Sequence, residues 1–393
     1  MSLMNEYINK KLSGPDLESE LLKLIGKYNS LRETYLFVYA AAIGKPIPSV
    51  PLEQSDFYIF RDLLSGQGVH NKVDVYLETP GGSGETAEEI CRFLHTKFEN
   101  VSFIISGEAK SAGTIIALSG NEILMTETGS LGPIDAQIKI GRSIVSAYDY
   151  MEWIKDKREE AEKQGALNPF DATMVAQISP GELGSVFHSL KFAEDLVKDW
   201  LARYKFKNWR FTETHNRIVT KDMKKRRAEE IAKELTNHSK WRSHGRSIKI
   251  DDLESIGLKV TRIDNDFELA DVVYRIQTVC RLLFETTTSF KIFATQDNKI
   301  FRQAVPTGQP IKIPHQQAPD IAEINQVCPK CGKSHKIYAK FVNNPKIDKD
   351  FREKGFTPFP SNAKLICNCG YEIDLSGIKS QIEMQTNKKI ITD

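Results

Sequence analysis

Apolar positions recur along the chain in two rhythms. Leu17, Leu21, Leu22, Leu24 and Ile25 fall at helical spacing, and the run Leu36–Ala42 extends them, so the pattern predicts one long helix over 15–43. KPIPSVP at 45–51 breaks it, and FYIFRDLL at 57–64 predicts a second helix. A short strand follows at 73–82, ending in Pro-Gly-Gly, then an amphipathic helix over 83–98 with Ile90, Phe93 and Leu94 on one face. VSFIISGE (101–108) reads as a strand, Ala112–Leu118 as a short apolar helix stopped by Gly120-Asn121, and EILMTE (122–127) as a further strand before the turn GSLGP (129–133). Strand, helix, strand, helix, strand implies a largely parallel α/β core. Beyond it, 148–164 and 182–205 read as long charged helices, and 217–249 is rich in Lys and Arg. Pro306, Pro310, Pro314 and Pro319 thin the pattern into a linker.

Composition narrows the classes. A chain of 393 residues has room for two or three domains, and 54 basic against 52 acidic residues dictate no polyanionic partner. No apolar stretch reaches the roughly 18 residues that a membrane helix needs, and the first residues, MSLMNEYINKKL, are too polar for a secretory signal. Of six cysteines, four lie close to the C-terminus as CPKC and CNC, which points to metal and a reducing compartment. The expected location is the cytoplasm.

Candidate chemistry gathers at GEAKSAGTIIALSG, residues 107–120. Ser111 lies between a strand and a helix, where free N–H groups of the helix start can point at the same spot as its hydroxyl. Ala112 and Gly113 add no bulk. The arrangement suits a nucleophile beside an oxyanion-binding N–H; a serine serving only as a helix cap fits as well. TPGGSGET (79–86) occupies the equivalent junction one strand earlier, and its paired glycines let backbone N–H groups approach a ligand closely. Two such loops at the same strand ends converge on one crevice.

TPGGSGETAEEI, SGEAKSAGTIIALSGNEIL and TGSLGPIDAQI, with GRSIKIDDLESIGLKVTRI at 245–263, together resemble the Clp/crotonase-like serine peptidases. The match is closest to the signal-peptide-peptidase branch and, within it, the soluble serine dehydrogenase proteinase family, over roughly residues 30–285. The resemblance implies repeated ββα units, Ser111 as nucleophile, and an oxyanion hole from Gly81 or Gly82 with the Ala112 N–H. It implies a polypeptide substrate, ATP-independent cleavage through an acyl-enzyme, and assembly into a homo-oligomer. Clp peptidases use a His soon after the Gly-Ser turn, where this chain has Asp135. The signal-peptide-peptidase branch uses a Lys, and MEWIKDK (151–157) is similar to its Lys setting, so Lys155 is the expected base, with Lys139, Lys157 and His188 as rivals. A lysine base needs burial or neighbouring cations to lower its pKa, whereas KDKREEAEK has the composition of a solvated helix face.

Cys328, Cys331, Cys367 and Cys369 form two knuckles, each followed by Gly. With the strand-like segments around them they read as a β-rich zinc ribbon holding structural Zn2+, the second knuckle being one residue short. The expected organisation is a helical lead at 1–50, a peptidase domain at 51–290, a linker at 291–325 and the ribbon at 326–380. Two alternatives keep the fold and change the role: an inactive scaffold that binds protein or nucleic acid through the ribbon and the basic 217–249 stretch, or acyl-CoA thioester chemistry, against which the Ser-Ala-Gly context argues.

Overall fold

The computed structural model describes residues 2–66, 70–140, 143–212, 215–304, 320–386 and 388–392. The chain divides into two compact units, Met1–Val305 and Pro306–Asp393.

In the first unit, helices α1 (Leu3–Asn9) and α2 (Gly14–Arg32) precede strand β1 (Tyr35–Ala41). Then come α3 (Gln54–Ser65), β2 (Lys72–Glu78), α4 (Gly84–Lys97), β3 (Asn100–Ile105), β4 (Glu108–Ala109), α5 (Ala112–Leu118), β5 (Glu122–Met125) and β6 (Ser130–Leu131). A hairpin of β7 (Gln137–Ile140) and β8 (Ser143–Ser146) leads to α6 (Ala147–Gln164), α7 (Pro169–Val175) and α8 (Pro180–Trp200), which runs on into a π-helical turn, Leu201–Lys205. The unit closes with α9 (Lys221–Thr236), α10 (His238–Trp241), α11 (Ile250–Ser255), β9 (Thr261–Arg262), α12 (Phe267–Thr286), β10 (Ser289–Ala294) and β11 (Lys299–Gln303).

Seven strands form one sheet in the order β11-β10-β1-β2-β3-β5-β9. The pairs from β1 to β9 are parallel, and β10 and β11 add an antiparallel edge. Helices cover both faces. Phe37 and Tyr39 point into a core shared with α3, α4 and α5, while Leu36, Val38 and Ala40 point into one shared with α2 and α12. This makes the expected mixed α/β architecture.

The helix expected over 15–43 ends early, at Arg32, and Tyr35–Ala41 is a strand. Glu33 turns the chain through left-handed backbone, with φ +51°, and β1 then enters the sheet. A strand buried on both faces reads as an unbroken apolar run, which periodicity cannot distinguish from a buried helix. Energetics decide it. Helix preferences differ by under about 0.7 kcal/mol per ordinary residue, whereas fully burying one Leu, Val or Phe side chain is worth about 1.5–3 kcal/mol, and all seven residues of β1 are buried.

The second unit holds β12 (Ile321–Val327), β13 (Ser334–Lys340), α13 (Pro345–Glu353), β14 (Thr357–Pro358), β15 (Lys364–Ile366), β16 (Glu372–Asp374) and α14 (Ser376–Thr386). β12, β13 and β14 make a small sheet, and β15 pairs with β16. Its core is small and includes Ile337, Phe341, Phe359 and Leu375 beside Cys328 and Cys367.

Candidate active site

Beyond the main sheet the chain builds a second, short set of pairings. Past the end of β2, Thr79 pairs in parallel with Ala109 of β4, donating its N–H to Glu108 O at 2.8 Å and accepting from Lys110 N–H at 3.0 Å. β4 pairs in parallel with β6, and Leu131 of β6 pairs with Ile248. On the other side Leu52 brackets the glycine loop, its N–H donating to Gly81 O at 2.7 Å and its carbonyl accepting from Ser83 N–H at 3.0 Å. Residues 79–82 therefore run beside 108–111, and Ser111 is delivered against Gly81. A Cβ on Gly81 would lie 2.7 Å from Lys110 O, 2.7 Å from Ser111 Cβ and 3.2 Å from Ala112 N. Only glycine, here at φ +98°, permits that approach.

Ser111 has φ +50° and ψ −116°, backbone that glycine adopts and other residues resist. It precedes α5, yet its side chain makes no capping bond, and its hydroxyl has no hydrogen-bond partner among the described residues. The cap reading is thus not what its hydroxyl does. The Ala112 N–H has no helical acceptor at that position. The Gly81 N–H is drawn back to Thr79 Oγ1 at 3.2 Å, whereas the N–H of Gly82, an exposed residue, has no acceptor among the described residues and is the freer donor of the pair. Behind Ser111, Thr114 Oγ1 donates to the carbonyls of Ala109 (2.8 Å) and Gly132 (3.0 Å) and accepts from the Gly132 N–H (2.9 Å), tying the first turn of α5 to the segment after β6.

The proposed bases are less closely gathered. Lys155 lies on α6 with its side chain 74% exposed and 3.8 Å from Glu159, the solvated face that its charged surroundings suggested. Lys157 is held by Asp171 at 2.7 Å and Glu160 at 2.8 Å; these contacts push its pKa upward and keep it protonated. His188 is exposed on α8 beside Phe187. The side chain of Lys139 lies outside the described residues. None of Lys155, Lys157 or His188 makes a hydrogen bond to Ser111.

The chain is similar here to known proteins. Residues 56–164 match the family described as ClpP-like SDH-type serine proteinase. That segment carries Gly81, Gly82, Ser111, Ala112 and Lys155, so the resemblance drawn from the motifs is borne out. Two uncharacterized proteins of Methanocaldococcus jannaschii are similar: one is 27% identical over 48% of this chain and 53% of its own length, the other 36% identical over 19% of this chain and 27% of its own. The chain thus spans about half or less of the curated relatives it matches. Among solved structures, two mutant forms of the 1510-N membrane-bound stomatin-specific protease are 14% and 13% identical, with TM-scores of 0.33 and 0.34. They cover 56% and 65% of this chain and 79% and 89% of their own, and the second holds a substrate peptide. No helix among the described residues is long and apolar enough to cross a membrane.

Two features of this proteinase-like site escaped the sequence reading. Asp135, buried, accepts from Ser146 Oγ at 2.9 Å and has its other oxygen 3.6 Å from Nδ1 of His244. His244 reads in sequence as one basic residue in a basic stretch, and the Leu131–Ile248 pairing brings its loop to the segment after β6. Lys110, next to Ser111, is buried and reaches Ser247 Oγ (2.9 Å) and the carbonyls of Leu131 and Arg246 (both 3.2 Å). Burial lowers its pKa, Glu108 opposing and Lys249 adding to the shift. Its amine ties the His244 loop to β6, so it positions the site.

In the second unit, the sulfurs of Cys328, Cys331, Cys367 and Cys369 all lie within 4.8 Å of one another, placed to hold a metal ion. Cys328–Cys369 and Cys331–Cys367 are 3.7 and 3.6 Å apart. Metal–sulfur bonds of about 2.3 Å at tetrahedral angles give edges of about 3.8 Å, so the set fits. The short second knuckle is a tighter turn. The Gly332 N–H returns to Cys328 O four residues back, whereas the Gly370 N–H returns to Cys367 O after three, and both glycines have positive φ. His335 Nε2, 3.2 Å from Cys367 Sγ, is placed to support that thiolate from outside the four.

Proposed function

We propose that this chain is a serine peptidase that cleaves polypeptides through an acyl-enzyme on Ser111. The observation that carries the reading is the strained, uncapped Ser111 held against Gly81 at the start of α5. Ser111 Oγ attacks the substrate carbonyl, the Gly82 and Ala112 N–H groups take the oxyanion, and Gly81 supplies the space. The base passes the Ser111 proton to the leaving amine, and water then hydrolyses the ester.

Lys155, from the family resemblance, is the first candidate base. Its side chain is 74% exposed in the single chain, so a role as base would call for cover from a second copy, in line with the homo-oligomer that the resemblance implies. A second reading rests on His244 and Asp135, which lie 3.6 Å apart, at ion-pair distance and outside hydrogen-bond reach; a closer approach on substrate binding would let the carboxylate orient the imidazole as base. Fluorophosphonate labelling followed by intact mass, on wild type, Lys155→Ala and His244→Ala, separates them. The variant that loses label, by 100-fold or more in rate, has lost the base. A wild type that takes no label between about pH 6 and 10 removes the peptidase reading and leaves the scaffold that binds protein or nucleic acid.

In the second unit the four cysteines hold structural Zn2+ as a zinc ribbon. Apparent binding energies of structural zinc sites are about 10–16 kcal/mol, more than so small a core can replace. One zinc per chain is expected by elemental analysis. Cys367→Ser should lose the metal and expose Pro306–Asp393 to proteolysis, with Met1–Val305 left intact. Metal-free protein with a protected second unit would contradict this.

A further inference from the structure

A cleft lies at the starts of the parallel strands, whereas Ser111 follows their ends. It encloses about 1160 Å³ and is bordered by the first residues of the parallel strands: Lys72, Asn100, Glu122 and Thr261. The π-helical turn after α8 brings Lys205, Phe206 and Trp209 to it, and α9 brings Arg227. Single π turns recur at functional sites.

The charges in the cleft do not balance. Arg32 is matched by Asp74 at 3.5 Å and Glu122 at 3.0 Å, and Glu254 by Arg262 at 2.7 Å. Arg227 uses Nη1 for Glu230, while Nη2 lies over Gly257, where a Cβ would come within 1.4 Å of it. Lys205 makes no hydrogen bond or ion pair among the described residues. Burial lowers its pKa to about 8, with Glu122 raising and Lys259 lowering it further. Lys205 is half-buried in the cleft wall, and its amine is open to the cleft with Glu122 as its nearest opposing charge. Beside it, Phe206 and Trp209 form a tilted aromatic pair with centroids 5.6 Å apart.

We propose that this cleft binds a small organic anion, whose phosphate or carboxylate group is taken by Lys205 and Arg227 and whose apolar body lies on Phe206 and Trp209. The site is independent of the Ser111 chemistry. Filling it charges Lys205, so binding near pH 8 takes up a fraction of a proton. Lys205→Met removes an amine whose charge the folded cleft disfavours, so the variant should melt no lower than wild type without ligand. Its advantage is full below about pH 8 and fades towards pH 10.5, where the unfolded lysine also loses its proton.

Calorimetry of the full chain with phenyl phosphate, benzoate and inorganic phosphate, in two buffers of different ionisation heat at pH 8, tests this. Phenyl phosphate or benzoate should bind with proton uptake, the tighter of the two naming the head group, and inorganic phosphate should bind more weakly than phenyl phosphate. Lys205→Met and Arg227→Gln should each weaken binding at least tenfold, and Trp209→Leu should narrow the gap between phenyl and inorganic phosphate. No binding of either aromatic anion up to about 10 mM, a level weaker than any useful site, overturns the proposal. So does binding that survives both charge substitutions.

Discussion

Ser111→Ala is expected to abolish fluorophosphonate labelling and to cut peptide hydrolysis by at least about 10⁴-fold, the scale of loss when a serine nucleophile is removed. It should do so with little change in melting temperature, because the Ser111 hydroxyl has no partner among the described residues to lose. Ser111→Gly should be equally inactive but more stable than Ser111→Ala. Both serine and alanine carry a Cβ at φ +50° and ψ −116°, a conformation that costs about 1–3 kcal/mol. Glycine removes that strain and returns about 0.5–1 kcal/mol of it through the larger entropy of its unfolded chain. The net expectation is a gain of about 1 kcal/mol over the alanine variant, read by urea unfolding. Equal stability of the two would mean that the backbone at 111 is relaxed, and the structural argument for a poised nucleophile would go with it. Full activity in either variant would remove Ser111 from the chemistry altogether.

That strain is legible only in part from the residues. Ser-Ala-Gly between a strand and an apolar helix marked the position, and the Gly-Gly pair marked its neighbour, because both are local signals of backbone that must turn sharply. The contact between them depends on Thr79 pairing with Ala109, a tertiary event. The His244–Asp135 contact is harder still. It arises because Leu131 pairs with Ile248 and because Lys110 grips Ser247, and no spacing rule links a residue on one side of 200 to one far on the other. Lys155 shows the converse: helix α6 was legible from its charge pattern, but the cover that a neighbouring copy would give Lys155 is outside what one chain's pattern encodes. β1 was misread for a physical reason, since burial on both faces erases the alternation that marks a strand. The knuckles were legible because four thiols must meet whatever the chain does between them.

The other large effect lies behind the glycine loop. Lys291 on β10 and Asp56 on α3 are both fully buried and bonded to each other. Lys291 Nζ also donates to Pro51 O at 2.9 Å, and Asp56 accepts from the Glu53 N–H at 3.0 Å and Tyr39 Oη at 3.2 Å. Between these anchors runs Leu52, the residue that brackets Gly81 and Ser83. Lys291→Met therefore removes the cation from a buried carboxylate and frees the strap that holds the glycine loop. Breaking such a pair costs about 3–5 kcal/mol. Arg302, 3.4 Å from Asp56 Oδ1, softens the loss towards the lower figure. Adding Asp56→Asn should restore much of it, since the amide oxygen can still accept from Glu53 and Tyr39 while no charge is left unpaired. Chemical unfolding of the single and double variants gives the coupling directly. If the double variant is as unstable as the sum of the singles, the pair contributes no coupling and the strap is held by packing alone. If it recovers, labelling of Ser111 should recover with it, because the Gly82 amide proposed to take the oxyanion depends on the same strap.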